Sequence, residues 1–154
     1  MKKVIFAASS GGHLTELLKV QELFKEYNYI LVTEKTDVTK ELDNKYNMKY
    51  VKYGPCKNKF KYIWTIITNI FRTIYIVARF RPDTIVSTGA QIGGFFCYVG
   101  KFFGAKVIYI ETMAKIKELS GTGNNVYKIA DKFYVQWKNL EEKYDKAEYI
   151  GRLI

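Results

Sequence analysis

The chain has 154 residues, 48% of them hydrophobic and 26% charged, with two cysteines and a net charge of +10. That apolar share suffices for one domain with a real core and excludes a disordered chain. Cys56 and Cys97 are too few and too far apart in sequence for a disulfide framework or a zinc site, which fits a reducing cytoplasm, and the first apolar run, residues 4–8, is too short for a secretory signal.

That run ends at Ser9, Ser10, Gly11 and Gly12, the pattern of a buried strand closed by a tight turn. From His13 the period changes: Leu14, Leu17, Leu18, Val20, Leu23 and Phe24 recur at helical spacing. Residues 29–33 read as a second strand, 37–45 as a polar helix, and 48–53 as a third strand closed by Gly54 and Pro55. A long helix is predicted over about 60–80, ended by Pro82. Residues 84–88 form a fourth strand running into Gly89, 92–103 a buried helix and 106–110 a fifth strand. A loop with Gly121 and Gly123 leads to a short helix ending at Ala130, a strand at 133–136, a helix at 140–144 and a short strand at 148–150.

This alternation predicts an α/β fold, a single Rossmann-like doubly wound and mostly parallel sheet, with 1–154 as one domain. Ligands of such sheets bind beyond the carboxyl ends of the strands, and the polar loops 9–13, 88–94 and 111–112 fall on that edge. Glycines at a strand-to-helix turn let an anion approach backbone amides. Ser10, Gly11, Gly12, His13, Gly89, Gln91, Gly93 and Gly94 are therefore candidate phosphate or sugar contacts, with tight helix–sheet packing as the other reason for the glycines. A dinucleotide fingerprint is not met, since Leu14 and Glu16 stand where it needs glycine, although Glu34 could act as a ribose-binding acid. His13 is the single histidine and so the sole imidazole proton carrier.

The charge is uneven. Residues 44–82 contain no acidic residue and hold Lys45, Lys49, Lys52, Lys57, Lys59, Lys61, Arg72, Arg79 and Arg81, which implies an anionic partner, nucleic acid or membrane lipid. Within 57–82, Ile63, Ile66, Ile67, Ile70, Ile74 and Val77 recur at helical spacing, with Trp64 and Phe71 among them. Arg72 in mid-segment argues against a spanning helix. A basic amphipathic helix in the membrane plane is expected instead, through Lys57, Lys59, Lys61, Trp64, Ile67, Phe71, Arg72, Arg79 and Arg81. Each such cation contributes about 1 kcal/mol near an anionic leaflet. Part of the apolar stripe must still cover the sheet. The segment lacks a nucleic-acid reading module, so no nucleic acid partner is expected.

The stretches SSGGHLTELL (9–18), PDTIVSTGAQIGGF (82–95), IYIET (108–112) and SGTGNNVYKIADKFYVQW (120–137) resemble one family. It is the acceptor-side subunit of the two-part N-acetylglucosamine transferase of lipid-linked oligosaccharide synthesis, with the bacterial PssD-like and CpsF-like capsule and exopolysaccharide proteins. More distantly, Gly11-Gly12-His13 and the 89–94 loop resemble the glycine loops in the N-terminal half of MurG. The resemblance implies the N-terminal half of a GT-B glycosyltransferase, inactive or weakly active alone, with the UDP-sugar donor held mainly by a separate catalytic subunit. It implies that this chain presents a lipid-diphosphate acceptor, cradled by the glycine loops, on the cytoplasmic face of the cell membrane, without cofactor or metal.

By the same resemblance His13 and Glu111 face the cleft, His13 assisting the acceptor hydroxyl and Glu111 as an alternative or as its orienter. Tyr134 and Trp137 are expected to touch the partner, since aromatic anchors are common in interfaces, with buried packing as the alternative. The eukaryotic members resembled begin with a membrane-spanning anchor, whereas this sequence opens at its first strand. Attachment is thus expected through the 57–82 helix, the partner or the substrate. A non-catalytic scaffold, or a nucleotide- or nucleic-acid-binding Rossmann domain, stands as the alternative.

Overall fold

Residues 1–54 and 58–153 are described by a computed structural model, so Cys56 and the predicted membrane contact Lys57 lie outside the described residues. The strands are β1 (Lys3–Ala8), β2 (Asn28–Glu34), β3 (Met48–Val51), β4 (Thr84–Gly89), β5 (Lys106–Ile110), β6 (Lys132–Val135) and β7 (Ala147–Tyr149). They form one seven-stranded sheet in the order β3-β2-β1-β4-β5-β6-β7, every pairing parallel. The helices are α1 (Gly12–Leu18), α2 (Asp37–Lys40), α3 (Lys59–Phe80), α4 (Ala90–Phe102), α5 (Gly121–Tyr127) and α6 (Lys138–Lys143). The predicted α/β class holds. The strand order reverses direction between β1 and β4, which places the loops after these two strands at the topological switch point.

Alternate residues of β1 supply both faces of the core. Ile5 and Ala7 join Ile30, Val77, Ile85, Phe96 and Val107 on one side. Val4, Phe6 and Ala8 join Leu14, Leu17, Phe24 and Leu31 on the other. Burial on both faces is why the strand reads as a continuous apolar run. Cys97 belongs to the larger cluster, and burial pushes its thiol up to about 12, so it is packing rather than chemistry.

Two predicted helices are shorter than expected. The one from His13 stops at Leu18 and gives way to a 3₁₀ stretch, Gln21–Glu26. That turn carries Phe24 onto Phe6 and Tyr29, with ring centroids 4.3 and 4.9 Å apart. The polar helix is likewise the four-residue α2 followed by a 3₁₀ turn, Glu41–Asn44. The third strand ends at Val51 rather than 53, because Asn69 of α3 takes both backbone groups of Lys52. Its side-chain oxygen accepts from the Lys52 N–H at 2.8 Å and its amide donates to the Lys52 carbonyl at 2.9 Å.

Helix α3 is turned against the usual rule. Asn69 and Thr73 are buried with Ile76 and Val77, while Ile63, Trp64, Ile67, Ile70, Phe71, Ile74 and Tyr75 face outward. Thr73 satisfies its hydroxyl on the Asn69 carbonyl at 2.8 Å, so the inward polar groups are paired. Trp64 is 68% exposed and Phe71 69%. The apolar surface continues onto α4 through Tyr98, Phe102 and Phe103, Phe102 being 86% exposed. Monomeric soluble proteins rarely show so continuous an apolar face.

Candidate functional site

The site begins with an irregularity in the sheet. Ala7 of β1 opposes Ser87, but Ala8 opposes Gly89, so Thr88 is an extra residue in β4. Such a bulge takes a residue out of the ladder and re-aims it. Here Thr88 turns to His13: its hydroxyl donates to the His13 carbonyl at 2.6 Å, and its own carbonyl lies 2.9 Å from His13 Nδ1. A carbonyl only accepts, so Nδ1 carries the proton and the neutral ring offers Nε2 as acceptor. The β1–α1 and β4–α4 turns are thereby clamped together.

The second turn is backbone-strained. Gly89 has φ +107° and the next residue, Ala90, has φ 56° although it is not glycine. Strain of this kind clusters at ligand-binding positions. Gly89 also sits in a slot: a Cβ there would lie 2.5 Å from the Tyr109 hydroxyl and 3.5 Å from His13 Nδ1. The Tyr109 hydroxyl is buried without a hydrogen-bond partner among the described residues, and burial raises its pKa.

Three buried glutamates hold the loops from beneath. Glu34, at the end of β2, accepts the Ser10 N–H at 2.6 Å. Glu16, on α1, accepts the Thr112 hydroxyl at 2.9 Å and the Met113 N–H at 3.1 Å. Glu111, at 0% exposure, accepts the Thr112 N–H at 2.9 Å, the Ser120 N–H at 3.0 Å and the Ser120 hydroxyl at 3.1 Å. Burial pushes the Glu111 carboxyl above the ordinary range, and the hydrogen bonds from Thr112 and Ser120 oppose the rise.

The predicted residues divide accordingly. Ser10, Gly11, Gly12, His13 and Gly89 gather at the switch point. Glu111 does not face the cleft as expected, because three donors hold it inside, and His13 is oriented by the Thr88 carbonyl instead. Glu34 is engaged with the Ser10 amide rather than left free for a ribose. Gly93 and Gly94 are buried, their bare faces against Ser87 Oγ and Thr122 Cγ2, where a Cβ would come within 2.1 and 2.9 Å. Their need for glycine is the packing one. Gln91 donates to the Tyr62 hydroxyl at 3.1 Å, linking the turn to the start of α3.

Lys59, Lys61, Trp64, Ile67, Phe71, Arg72, Arg79 and Arg81 are all exposed. Trp137 is half-buried: its indole N–H donates to the Met113 carbonyl at 2.7 Å, and the Arg152 guanidinium stacks 4.3 Å from its ring. Tyr134 is half-buried on β6. Thr88, Glu16 and Tyr109 escaped sequence reasoning. Glu16 lies on the apolar side of α1 between Leu14 and Leu17, and an acid in such a stripe is the one local signal that could have found it.

Residues 4–153 match the family described as oligosaccharide biosynthesis protein Alg14 like. The chain belongs to that family. It is 28% identical to the UDP-N-acetylglucosamine transferase subunit alg14 of Schizosaccharomyces pombe, over 97% of this chain and 82% of the relative. It is 25% identical to the human subunit ALG14, over 98% of this chain and 82% of the relative. Among solved structures it is similar to Acinetobacter baumannii MurG, at TM-score 0.73 and 17% identity, covering 90% of this chain and 43% of that one. It is also similar to Methanocaldococcus jannaschii UDP-GlcNAc 2-epimerase in complex with UDP-GlcNAc and UDP, at TM-score 0.74 and 12% identity, covering 97% and 46%. The chain thus spans less than half of these structures, and at such identities they speak for the fold alone, a Rossmann-like parallel α/β sheet that matches one half of each.

Proposed function

We propose that the chain is the acceptor-binding, membrane-associating subunit of a two-component UDP-sugar glycosyltransferase, which recruits or activates a separate donor-binding catalytic subunit. The observation that carries this reading is a pair of coverages. The chain accounts for 82% of relatives named as subunits of a UDP-N-acetylglucosamine transferase, yet for 43% of MurG. The polymer context is bacterial capsule or exopolysaccharide made on a lipid carrier at the cytoplasmic face of the cell membrane. The lipid diphosphate rests against the glycine turns at Ser10–Gly12 and Gly89–Gln91, where strained backbone and helix starts favour an anion. His13 Nε2 takes the proton of the acceptor hydroxyl as it attacks the sugar carbon, and the UDP leaving group stays with the partner subunit. Tyr134 and Trp137 belong to the partner surface.

The test is sugar transfer from UDP-sugars to a lipid-diphosphate acceptor, with this chain alone and then with a candidate donor subunit. Activity is expected only with both chains. Full turnover by this chain alone would overturn the division of labour.

Membrane contact follows from the outward apolar side of α3 and its continuation on α4. Helix α3 is by length and composition apolar enough to cross a bilayer. Its buried Asn69, Thr73, Ile76 and Val77 pack on the sheet, however, which favours a helix lying in the interface. Replacing Trp64 and Phe71 by serine is expected to weaken partition onto anionic vesicles by about tenfold per residue, the lower end of what burying a large apolar side chain is worth. Flotation of the double variant together with vesicles as fully as the wild type would place the membrane surface elsewhere.

A further inference from the structure

Beside α3, away from the switch point, lies a concavity of about 380 Å³ lined by Ile30, Lys49, Arg72, Tyr75, Ile76 and Arg79, among others. Arg72 and Arg79 are two helical turns apart and so project on one side of α3, with Tyr75 and Ile76 between them. Lys49 comes from the edge strand β3, two residues before Val51 and therefore on the same face of the sheet, the face that α3 covers. None of the three cations forms an ion pair among the described residues; the ion pairs there are Lys25–Glu22, Lys40–Asp37, Lys101–Asp131 and Lys132–Glu148. Asp43 is linked to another lining residue, Tyr50, whose hydroxyl donates to it at 2.9 Å, and it forms no ion pair with the three cations.

Snorkelling arginines and an edge-protecting lysine would explain each cation singly. They do not explain why three unpaired positive charges line one cavity of ligand size, where mutual repulsion opposes them. We infer that this concavity is a binding site for a phosphate-bearing headgroup of net negative charge, gripped by the Arg72 and Arg79 guanidinium forks with Lys49 as a third charge. Arginine suits phosphate because its planar donors bond two oxygens at once. The exposed apolar face of the same helix makes a membrane amphiphile the source of the phosphate. That clause rests on the membrane reading above, whereas the pocket itself does not.

The experiment uses the full chain, ¹⁵N-labelled, titrated with glycerol 3-phosphate while the Arg72 and Arg79 side-chain signals are followed. In parallel, flotation is measured with phosphatidylcholine vesicles with and without a minor share of phosphatidylglycerol. The deciding variant is the pair R72K and R79K, which keeps every charge and removes the forks; R72Q with R79Q removes the charge as well. The lysine pair is expected to weaken glycerol phosphate binding and the phosphatidylglycerol-dependent part of flotation by about tenfold, as charge-assisted bonds are lost. Weakening confined to glycerol phosphate would assign the pocket to a soluble phosphate compound. Lysine variants that match the wild type while the glutamine pair falls would show diffuse attraction only and overturn the site, as would a wild type that binds neither ligand. Sugar transfer assayed in detergent is independent of these outcomes, so failure of the pocket and failure of the subunit reading are told apart.

Discussion

His13→Ala is expected to lower sugar transfer by the assembled transferase about 10²- to 10⁴-fold, the usual worth of a positioned general base. The expectation rests on the Thr88 carbonyl, which lies 2.9 Å from Nδ1, holds its proton and leaves Nε2 to accept one. The fold itself loses one hydrogen bond, about 1 kcal/mol, so the melting temperature should fall by no more than about 4 °C. His13→Gln separates the two roles. Its amide can still donate to Thr88 but cannot take a proton, so it should be as slow as the alanine variant. The loss should appear in kcat rather than in KM for the acceptor. A glutamine variant of near wild-type turnover would reduce His13 to a positioning residue. Wild-type turnover in both variants would favour the scaffold reading.

Gly123→Ala is expected to be the most damaging single methyl in the chain. A Cβ there would stand 1.8 Å from Glu111 Oε2 and 2.9 Å from its Cδ. The carboxylate is buried and already committed to three donors, and Gly123 itself donates its N–H to Ser120 Oγ at 2.9 Å, so neither side can retreat freely. Overpacking together with a displaced buried carboxylate costs about 3 kcal/mol, or about 6–12 °C of melting temperature in a chain of this size. Gly121→Ala, two residues away at the start of α5, is the control. A Cβ there meets nothing within 4 Å, and alanine is the better helix former by about 1 kcal/mol. The two substitutions should therefore move stability in opposite directions. Combining Gly123→Ala with Glu111→Ala should cost less than the sum of the single changes, because removing the carboxylate makes room for the methyl. A Gly123→Ala protein as stable as the wild type would show that the Glu111–Ser120 network is looser than its geometry.

Much of this architecture is local, and local order is legible. The seven apolar strand segments, the glycine turns after β1 and β4 and the cationic α3 segment stand in the sequence, because strand and helix periods need only neighbouring residues. His13 could be singled out for the same reason, as the single imidazole at the first turn. What turned it into a candidate base could not be read: the bulge that rotates Thr88 toward it joins residues 75 positions apart, and the Glu16–Thr112 bond spans 96. Glu111 is placed at the cleft by the family resemblance, in a loop on the binding edge of the sheet. Its complete burial, its three donors and the packing of Gly123 against it show that it faces inward. The direction of α3 was also beyond the sequence, since a helix with apolar residues on most sides does not say which side meets the sheet. The tertiary structure decided it through Asn69, whose amide completes the end of β3 at Lys52 and so turns Trp64 and Phe71 outward. Backbone hydrogen bonds left over at a strand end must be satisfied, and that requirement outweighs the burial of one more apolar stripe.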